Sequence, residues 1–229
     1  MAFILALLAG IISYLLGSIS FAIIFTGLFS KKDVRKYGSG NAGMTNVMRV
    51  SGVLPGALTF ICDVLKGFLG AFIGWQIFSY CYSLMQIDLF LPIYGSYFCA
   101  IACMLGHAFP IFFGFKGGKS VSVCLGVMFV CNWPAAVIAI FVFALILLVT
   151  KIVSISSMIA VASMLVTVPN FMMNSNTAFL LGGKAGLNVI ILIFNIIMVS
   201  LVTIMHKDNI KRLKEGTEKS IFKKRDKNV

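Results

Sequence analysis

The sequence predicts an all-α fold, that of a polytopic integral membrane protein with about seven transmembrane helices, an N-terminus outside and a cytoplasmic C-terminus. Composition is the first observation behind this prediction: of 229 residues, 60% are hydrophobic and only 11% are charged, with a mean hydropathy of +1.02. The second is the length of the apolar runs, which a soluble core cannot bury. The third is the distribution of lysine and arginine. We expect one transmembrane domain over residues 1–229, ending in a basic cytoplasmic tail of about residues 206–229.

Hydropathy predicts seven membrane spans, which cover residues 3–29, 53–79, 92–105, 120–131, 133–150, 154–170 and 186–205. The first run lacks a preceding charged segment and is too long for the apolar part of a secretion signal, so we expect a retained helix. The third and fourth spans are short for a hydrocarbon core of about 30 Å at a rise of about 1.5 Å per residue. Short helices beside a glycine-rich loop favour a re-entrant or funnel-shaped region, because irregular backbone at membrane depth is tolerated where it lines a wet cavity.

Positive charge is concentrated on one side of the predicted spans. With the basic tail in the cytoplasm, as the positive-inside rule requires, 17 of the 19 lysines and arginines lie in cytoplasmic loops or in the tail. Lys184 alone lies outside, and Lys66 lies within the second span. A net charge of +12 in so apolar a chain favours an anionic membrane surface or anionic substrates over nucleic acid, whose binders are basic and polar.

The second predicted span contains two opposite charges, Asp63 and Lys66, three residues apart on one helical face. Either charge alone at membrane depth would cost on the order of 3 kcal/mol, so we expect them to neutralise each other. The pair could be structural, or the lysine could snorkel toward the cytoplasmic surface. In the same span, Gly70 and Gly74 form a GxxxG pattern that predicts a close-packing helix face.

The stretch GHAFPIFFGFKGGKS, residues 106–120, interrupts the apolar sequence with adjacent glycines between lysines. Without Cβ atoms, the backbone of Gly117 and Gly118 can turn its N–H groups toward an oxyanion. Lys116 and Lys119 add positive charge from either side. A phosphate site and a plain basic turn between two helices both fit this stretch.

Two nucleotide-binding patterns are excluded in spite of partial matches. The Walker motif needs a glycine where Phe113 stands, together with a preceding strand and a later aspartate for magnesium. Gly38, Gly40 and Gly43 match GxGxxG, but no βαβ unit can form and the ribose-binding acid would be Asp63, inside a span. We therefore expect phosphate binding without a nucleotide and without a cofactor.

The first predicted cytoplasmic loop, YGSGNAGMTNVMRVSG at residues 37–52, is dense in hydrogen-bond donors. A glycine-rich turn would explain its glycines but not these donors. The planar guanidinium at its end can bind a phosphate with two parallel hydrogen bonds. The candidate phosphate-binding side chains of this loop are Ser39, Asn41, Thr45, Asn46 and Arg49.

The predicted tail carries His206 and Asn209 one helical turn apart, and Glu218 among lysines and arginines. A surface anchor on anionic lipid explains the basic residues 223–227. It explains the three named residues less well. They could face the same chamber as the two loops, with Glu218 orienting a basic group.

The six cysteines show no CxxC spacing, and most lie in apolar runs where a free thiol behaves as a small hydrophobe, so we expect no disulfides. Cys99, Cys103 and His107 recur on one helical face at intervals of four residues. No fourth ligand accompanies them, so we predict no metal site.

Four motifs resemble, in order and spacing, those of the bacterial acyl-phosphate:glycerol-3-phosphate acyltransferases. They are SGNAGMTNVMR at 39–49, GHAFPIFFGFKGGKS at 106–120, KIVSISS at 151–157 and HKDNIKRLKEGTEKS at 206–220, with DVLKG at 63–67 also similar. The resemblance runs through nearly the whole chain. It implies seven helices in a bacterial inner membrane, with the motifs on the cytoplasmic side. It also implies that a fatty acyl chain moves from acyl phosphate to the 1-hydroxyl of glycerol 3-phosphate, giving lysophosphatidate for phospholipid synthesis.

The resemblance assigns roles to individual residues. The implied catalytic residues are Ser39, Arg49, Lys119 and His206. The implied substrate-binding residues are Asn41, Thr45, Asn46, His107, Lys116, Gly117, Gly118, Ser154, Asn209 and Glu218. Met44 and Ser120 replace smaller residues that are more typical of the family, and Lys151 and Lys207 replace arginines, which keeps the charge but loses the bidentate geometry.

Acyl phosphate is already an activated mixed anhydride, and the sequence lacks a GxSxG elbow, so direct transfer is expected. Either His206 or a phosphate oxygen of the donor could take the hydroxyl proton. The charges of Lys207, Lys211 and Arg212 predict a lowered pKa for His206, which favours the donor phosphate.

Two other functions fit parts of the sequence. A membrane transporter of phosphorylated metabolites would also need cationic and glycine-rich loops, but no internal repeat is visible and the motifs fall on one face. A lipid-binding scaffold would explain the basic tail and leave the donors of the first loop without a role.

Overall fold

The computed structural model of the protein describes residues 1–173 and 189–220. Regular structure in these ranges is entirely helical, which confirms the all-α class. The α-helices are α1 Ala2–Gly17, α2 Phe21–Ser30, α3 Met44–Ser51, α4 Val53–Met85, α5 Pro92–Ala108, α6 Val121–Cys131, α7 Trp133–Thr150, α8 Val153–Ala162, α9 Met164–Met173, α10 Val189–Met205 and α11 Lys207–Lys214. Short 3₁₀ turns cover Val34–Lys36, Asp88–Phe90 and Ile111–Phe113.

Five helical segments of the described residues are long and apolar enough to cross a membrane. They are Ala2–Ser30, Val53–Met85, Pro92–Phe113, Trp133–Thr150 and Val153–Met173. A sixth results if α10 and α11, which meet at a bend of 57°, count as one broken span. The protein is thus an integral membrane protein with five or six candidate spans in the described part of the chain.

The two spans predicted to be short have different outcomes. The third continues beyond the predicted end at residue 105, through α5 to the 3₁₀ turn that ends at Phe113. Hydropathy ended it too early because His107, a polar residue, is buried inside the helical bundle. The fourth is α6, whose 11 residues reach about 16 Å, about half of the hydrocarbon thickness.

The first span is broken between α1 and α2, at residues 18–20. The break leaves the carbonyl of Ile19 outside the helical hydrogen-bond pattern, and the Lys66 ammonium donates to it at 2.7 Å. The same ammonium lies 2.9 Å from the Asp63 carboxylate, and both side chains are at most 2% exposed. The expected neutralising pair is therefore confirmed, and it also supports the broken helix.

Close helix crossings around α4 depend on glycine. Helix α4 packs against α1, α5 and α6 and lies at the centre of the described bundle. At the crossing with α5, Gly74 and Gly95 face each other so closely that a Cβ atom on either would overlap the other's carbonyl. Gly70, on the same face, lies against the Cys103 side chain. The predicted close-packing face is confirmed, and it brings the end of α5 alongside the buried charges of α4.

Three predictions fall outside the described residues. These are the beginning of the seventh span at residues 186–188, the external position of Lys184, and the anchoring role of residues 223–227. All six cysteines are described, and each is a free thiol.

Candidate active site

A cavity of about 550 Å³ opens between the first loop, the start of α6, helices α7 and α8, and the tail. We call it the main cavity. Eleven of the fourteen sequence-predicted site residues line it: Ser39, Asn41, Thr45, Asn46, Arg49, His107, Lys119, Ser154, His206, Asn209 and Glu218. Its remaining wall is largely apolar and includes Phe60, Leu125, Ile140, Phe143, Val161 and Met164. One chamber therefore has a cationic, hydrogen-bonding part and a hydrocarbon part.

A second cavity of about 320 Å³ adjoins the main one. The two share the residues Ser39, Asn41, Lys119, Asn209 and Arg212. Lys116 and Gly117, two of the three predicted residues missing from the main cavity, line this second one, together with Lys207. Gly118, the third, lines neither cavity.

The first loop is shaped by the buried side chain of Asn46. Its amide oxygen accepts from the Ser39 N–H at 2.8 Å, and its amide nitrogen donates to the carbonyls of Val34, Tyr37 and Asn41 at 3.0 to 3.1 Å. Its amide group is thus engaged by the backbone of its own loop. Asn46, which the sequence predicts to bind substrate, lines the main cavity and holds Ser39 and Asn41 at its wall.

The glycine pair of the second loop does not form the predicted phosphate cradle. The N–H of Gly118 donates to the His107 carbonyl at 3.0 Å, and the N–H of Gly117 donates to the Ala108 carbonyl at 3.2 Å. These bonds cap the end of α5, so neither N–H points at the main cavity. A Cβ atom at Gly118 would collide with the His107 ring, which explains the need for glycine. The pair positions the following residue, Lys119, at the wall.

Lys119 is the cation of this loop that reaches the main cavity. Its ammonium donates to the side-chain oxygen of Asn209. Burial lowers its pKa to about 8, with Arg212 and Arg49 lowering it further and Glu218 opposing them. Burial likewise lowers the pKa of Arg49. Lys119 can therefore lose its charge near pH 8, whereas the guanidinium groups of Arg49 and Arg212 stay charged.

Glu218 is the acceptor around which these groups gather. One carboxylate oxygen accepts from the Ser154 hydroxyl at 2.8 Å and from the Asn209 amide at 2.7 Å, and the other accepts from the Arg212 guanidinium at 2.6 Å. Burial alone would raise the pKa of Glu218, but these donors outweigh it and leave the pKa lowered. The predicted role, a carboxylate that orients a basic group, matches this geometry.

His206 lies just beyond the end of α10 and is 2% exposed. Its Nδ1 lies 2.7 Å from the Val202 carbonyl, which fixes the neutral ring with a proton on Nδ1 and a lone pair on Nε2. Burial, followed by the charge of Lys119, lowers its pKa to about 4. The expected lowering of the His206 pKa is confirmed. Its main cause is burial, and the charge that contributes most is that of Lys119, whereas the sequence predicted the charges of Lys207, Lys211 and Arg212.

Comparison with known proteins identifies the family. Residues 7–216 match the family model described as glycerol-3-phosphate acyltransferase. The chain belongs to this family. Glycerol-3-phosphate acyltransferase 2 of Bacillus anthracis is 38% identical over 92% of this chain and 96% of its own. A glycerol-3-phosphate acyltransferase of Clostridioides difficile strain 630 is 36% identical over 96% of this chain and 97% of its own.

Two solved structures extend the similarity to three dimensions. Both are crystal structures of PlsY, an integral membrane glycerol 3-phosphate acyltransferase. The glycerol 3-phosphate form has a TM-score of 0.76 at 35% identity and covers 94% of this chain and 95% of that chain. The lysophosphatidic acid form has a TM-score of 0.73 at 35% identity and covers 94% of both. The resemblance inferred from the motifs is confirmed, and the chain is an acyltransferase of this family.

Sequence reasoning missed Arg212 as a site residue of the acyltransferase. Its guanidinium bonds to Glu218, and it lines both cavities. A usable signal was present, because His206, Asn209 and Arg212 are spaced three residues apart and so share one face of a helix. Ser157 was also missed; its hydroxyl lies 3.4 Å from Nε2 of His206.

The lowered pKa of Lys119 gives the acyltransferase an expected alkaline limit. If Lys119 binds phosphate, as the sequence predicts, binding needs the protonated ammonium, and kcat/KM for glycerol 3-phosphate should fall as the pH rises through about 8. In Lys119→Arg the cation stays charged, and the fall should move to higher pH. The measurement is a pH profile of both proteins, with Lys211→Arg, which is exposed on α11 and lines neither described cavity, as the control. A fall at the same pH in Lys119→Arg would remove Lys119 as its cause.

Proposed function

We propose that the main cavity transfers a fatty acyl group from acyl phosphate to the 1-hydroxyl of glycerol 3-phosphate, releasing lysophosphatidate and inorganic phosphate. The observation that carries this proposal is the division of one chamber into a cationic part and an apolar part. Arg49 and Lys119 stand in the first part, and Phe60, Leu125 and Phe143 in the second. Acyl phosphate has the same division, since an anionic head group joins a hydrocarbon chain.

The cations support binding of two phosphate-bearing substrates. Arg49, Lys119 and Arg212 lie near the carboxylate of Glu218, and Asp208 is a weaker anionic neighbour of Lys119, so the cluster has an excess of positive charge. Holding two anionic substrates together in the right geometry converts a bimolecular step into an effectively unimolecular one. The second cavity, with Lys116 and Lys207 on its walls, offers a cationic route for glycerol 3-phosphate into the main one.

The chemical step needs no covalent intermediate with the enzyme. The 1-hydroxyl oxygen attacks the acyl carbonyl carbon, the bond from that carbon to the phosphate oxygen breaks, and phosphate leaves with the hydroxyl proton. The carbonyl oxygen becomes an oxyanion during the attack. The Ser39 hydroxyl and the guanidinium of Arg49, at the wall of the same cavity, are our candidates to stabilise it.

The proton is taken by a phosphate oxygen of the donor, and His206 binds the acceptor. A histidine with a pKa of about 4 is neutral at pH 7 and is a weak base. The Ser157 hydroxyl has one proton, and the Val153 carbonyl lies closer to it, at 2.9 Å, than Nε2 of His206 does, at 3.4 Å. Nε2 therefore keeps a lone pair for a substrate hydroxyl. Thr45, His107 and Ser154 complete the proposed set of substrate contacts.

We further propose that the protein lies in a bacterial inner membrane with seven spans and its main cavity facing the cytoplasm. The concentration of lysine and arginine on one side of the predicted spans supports this orientation. The bend between α10 and α11 supports it too, because the cations of α11 then lie at the membrane surface next to the cavity.

Phosphate release from acyl phosphate tests the proposed reaction. The purified protein should release phosphate only when glycerol 3-phosphate is present, and the amount of phosphate should equal that of lysophosphatidate.

Arg49→Lys should lower kcat/KM on the order of tenfold or more, because the bidentate contact is lost while the charge remains. Lys211→Ala, on the exposed face of α11, is the matched control. Uptake of glycerol 3-phosphate into vesicles without phosphate release would establish a transporter instead. Absence of both uptake and phosphate release would favour the lipid-binding scaffold.

His206→Ala distinguishes between the two candidate proton acceptors, His206 and a phosphate oxygen of the donor. Loss of one hydrogen bond should raise KM for glycerol 3-phosphate roughly tenfold and leave the shape of the pH–rate profile unchanged. A general base would instead lose about 10²- to 10⁴-fold in kcat. Thr203→Ala, exposed near the end of α10, serves as the control. A profile whose acidic limb vanishes in the variant, at unchanged KM, would refute proton transfer to the donor phosphate.

A further inference from the structure

A buried polar cluster extends from the wall of the main cavity, which Asp63 and His107 line, into the helical bundle. It consists of Asp63, Lys66 and His107. Of its members, only His107 belongs to the proposed set of substrate contacts. The Lys66 ammonium lies 2.9 Å from the Asp63 carboxylate, and Nδ1 of His107 lies 3.6 Å from the same oxygen. The three side chains are 2%, 1% and 6% exposed.

Stability alone is a weak reason for such a cluster. Removing charges from water carries a desolvation cost, and well-packed apolar residues of similar volume often give equal or greater stability than a buried ion pair. In a membrane protein, whose spans consist mostly of apolar residues, apolar side chains could readily occupy these positions. The connections of the cluster point to a positional role.

The first connection runs to the loop of Ser39. Lys66 donates to the Ile19 carbonyl at 2.7 Å, at the break between α1 and α2, and α2 leads directly into that loop. A break in a span leaves backbone groups without helical hydrogen-bond partners. By donating to the Ile19 carbonyl, Lys66 fixes the direction of α2 after the break.

The second connection runs to Lys119. The Asp63 carboxylate faces the His107 imidazole at 3.6 Å, and the His107 carbonyl accepts from the N–H of Gly118 at 3.0 Å. Gly118 lies against the His107 ring and immediately precedes Lys119. A shift of the imidazole would therefore move the backbone that carries the Lys119 ammonium.

We propose that Asp63, Lys66 and His107 form a positioning cluster that fixes Lys119 relative to the loop of Ser39. The cluster acts through the end of α5 and the break of the first span. This inference rests on the proposed acyl transfer, in which Lys119 binds phosphate.

A double-mutant cycle between Asp63 and Lys119 tests the proposal. Asp63→Asn should lower kcat roughly tenfold in the otherwise native protein. In a Lys119→Gln background the same change should lower kcat about twofold or less, because the group that the cluster positions is gone. Thermal unfolding of the same samples shows whether each variant is folded. A purely structural role would instead lower the folded fraction and give the same fold-change in both backgrounds.

Asn195→Leu is the matched control for a buried polar contact. Asn195 is 1% exposed, donates to the Tyr97 hydroxyl at 3.2 Å and lines neither described cavity. Its effect on kcat should be the same in both Lys119 backgrounds.

Asp63→Asn combined with Lys66→Met covers the case in which Asp63→Asn alone fails to fold. Removal of both charges should restore folding and leave kcat low. A native kcat in this double variant, or equal losses in both Lys119 backgrounds, would overturn the positioning role. Absence of glycerol 3-phosphate-dependent phosphate release in the unmodified protein would overturn the proposed reaction instead, so the two failures are distinguishable.

Discussion

The carboxylate of Glu218 is the interaction on which the site depends. It accepts hydrogen bonds from α8 through Ser154 and from α11 through Asn209 and Arg212. Hydrogen bonds to a charged group contribute about 1.5 to 3 kcal/mol each. The same carboxylate lies near Lys119 and Arg49, whose positive charges would otherwise repel one another and Arg212. Glu218 therefore closes the tail over the main cavity and keeps three cations within one small volume.

The membrane explains why the other polar contacts collect in the same place. Backbone outside helices needs hydrogen-bond partners wherever water is absent, so irregular segments are confined to protein-lined or wet regions. The side chain of Asn46 bonds to the backbone of the first loop, and the N–H groups of Gly117 and Gly118 bond to the end of α5. These contacts satisfy backbone groups of both loops, and the side chains of Arg49 and Lys119 line the main cavity. The cations remain at the cavity wall.

Much of this arrangement could be predicted from the sequence. Hydropathy gave the helical class, and four motifs in a fixed order gave the family and eleven residues of one cavity. What failed depends on tertiary contacts. His107 made the third span look short because hydropathy does not register a polar side chain buried against Asp63. The glycines at 117 and 118 looked like an anion cradle, because a sequence does not show that their N–H groups cap a helix. The three-residue spacing of His206, Asn209 and Arg212 was a usable signal, but the bond to Glu218 that distinguishes Arg212 from the other tail cations exists only in the folded protein.

Replacement of Glu218 by glutamine measures the central claim most directly, since it changes charge and hydrogen bonding at nearly constant volume. The glutamine oxygen can accept from Ser154 and Asn209, but its amide nitrogen would face the donor group of Arg212. We expect the rate of phosphate release with glycerol 3-phosphate to fall tenfold or more in Glu218→Gln. The exposed Glu215→Gln, three residues away in the chain, should retain the native rate. A native rate in Glu218→Gln would contradict the account, because the cations would then need no central carboxylate.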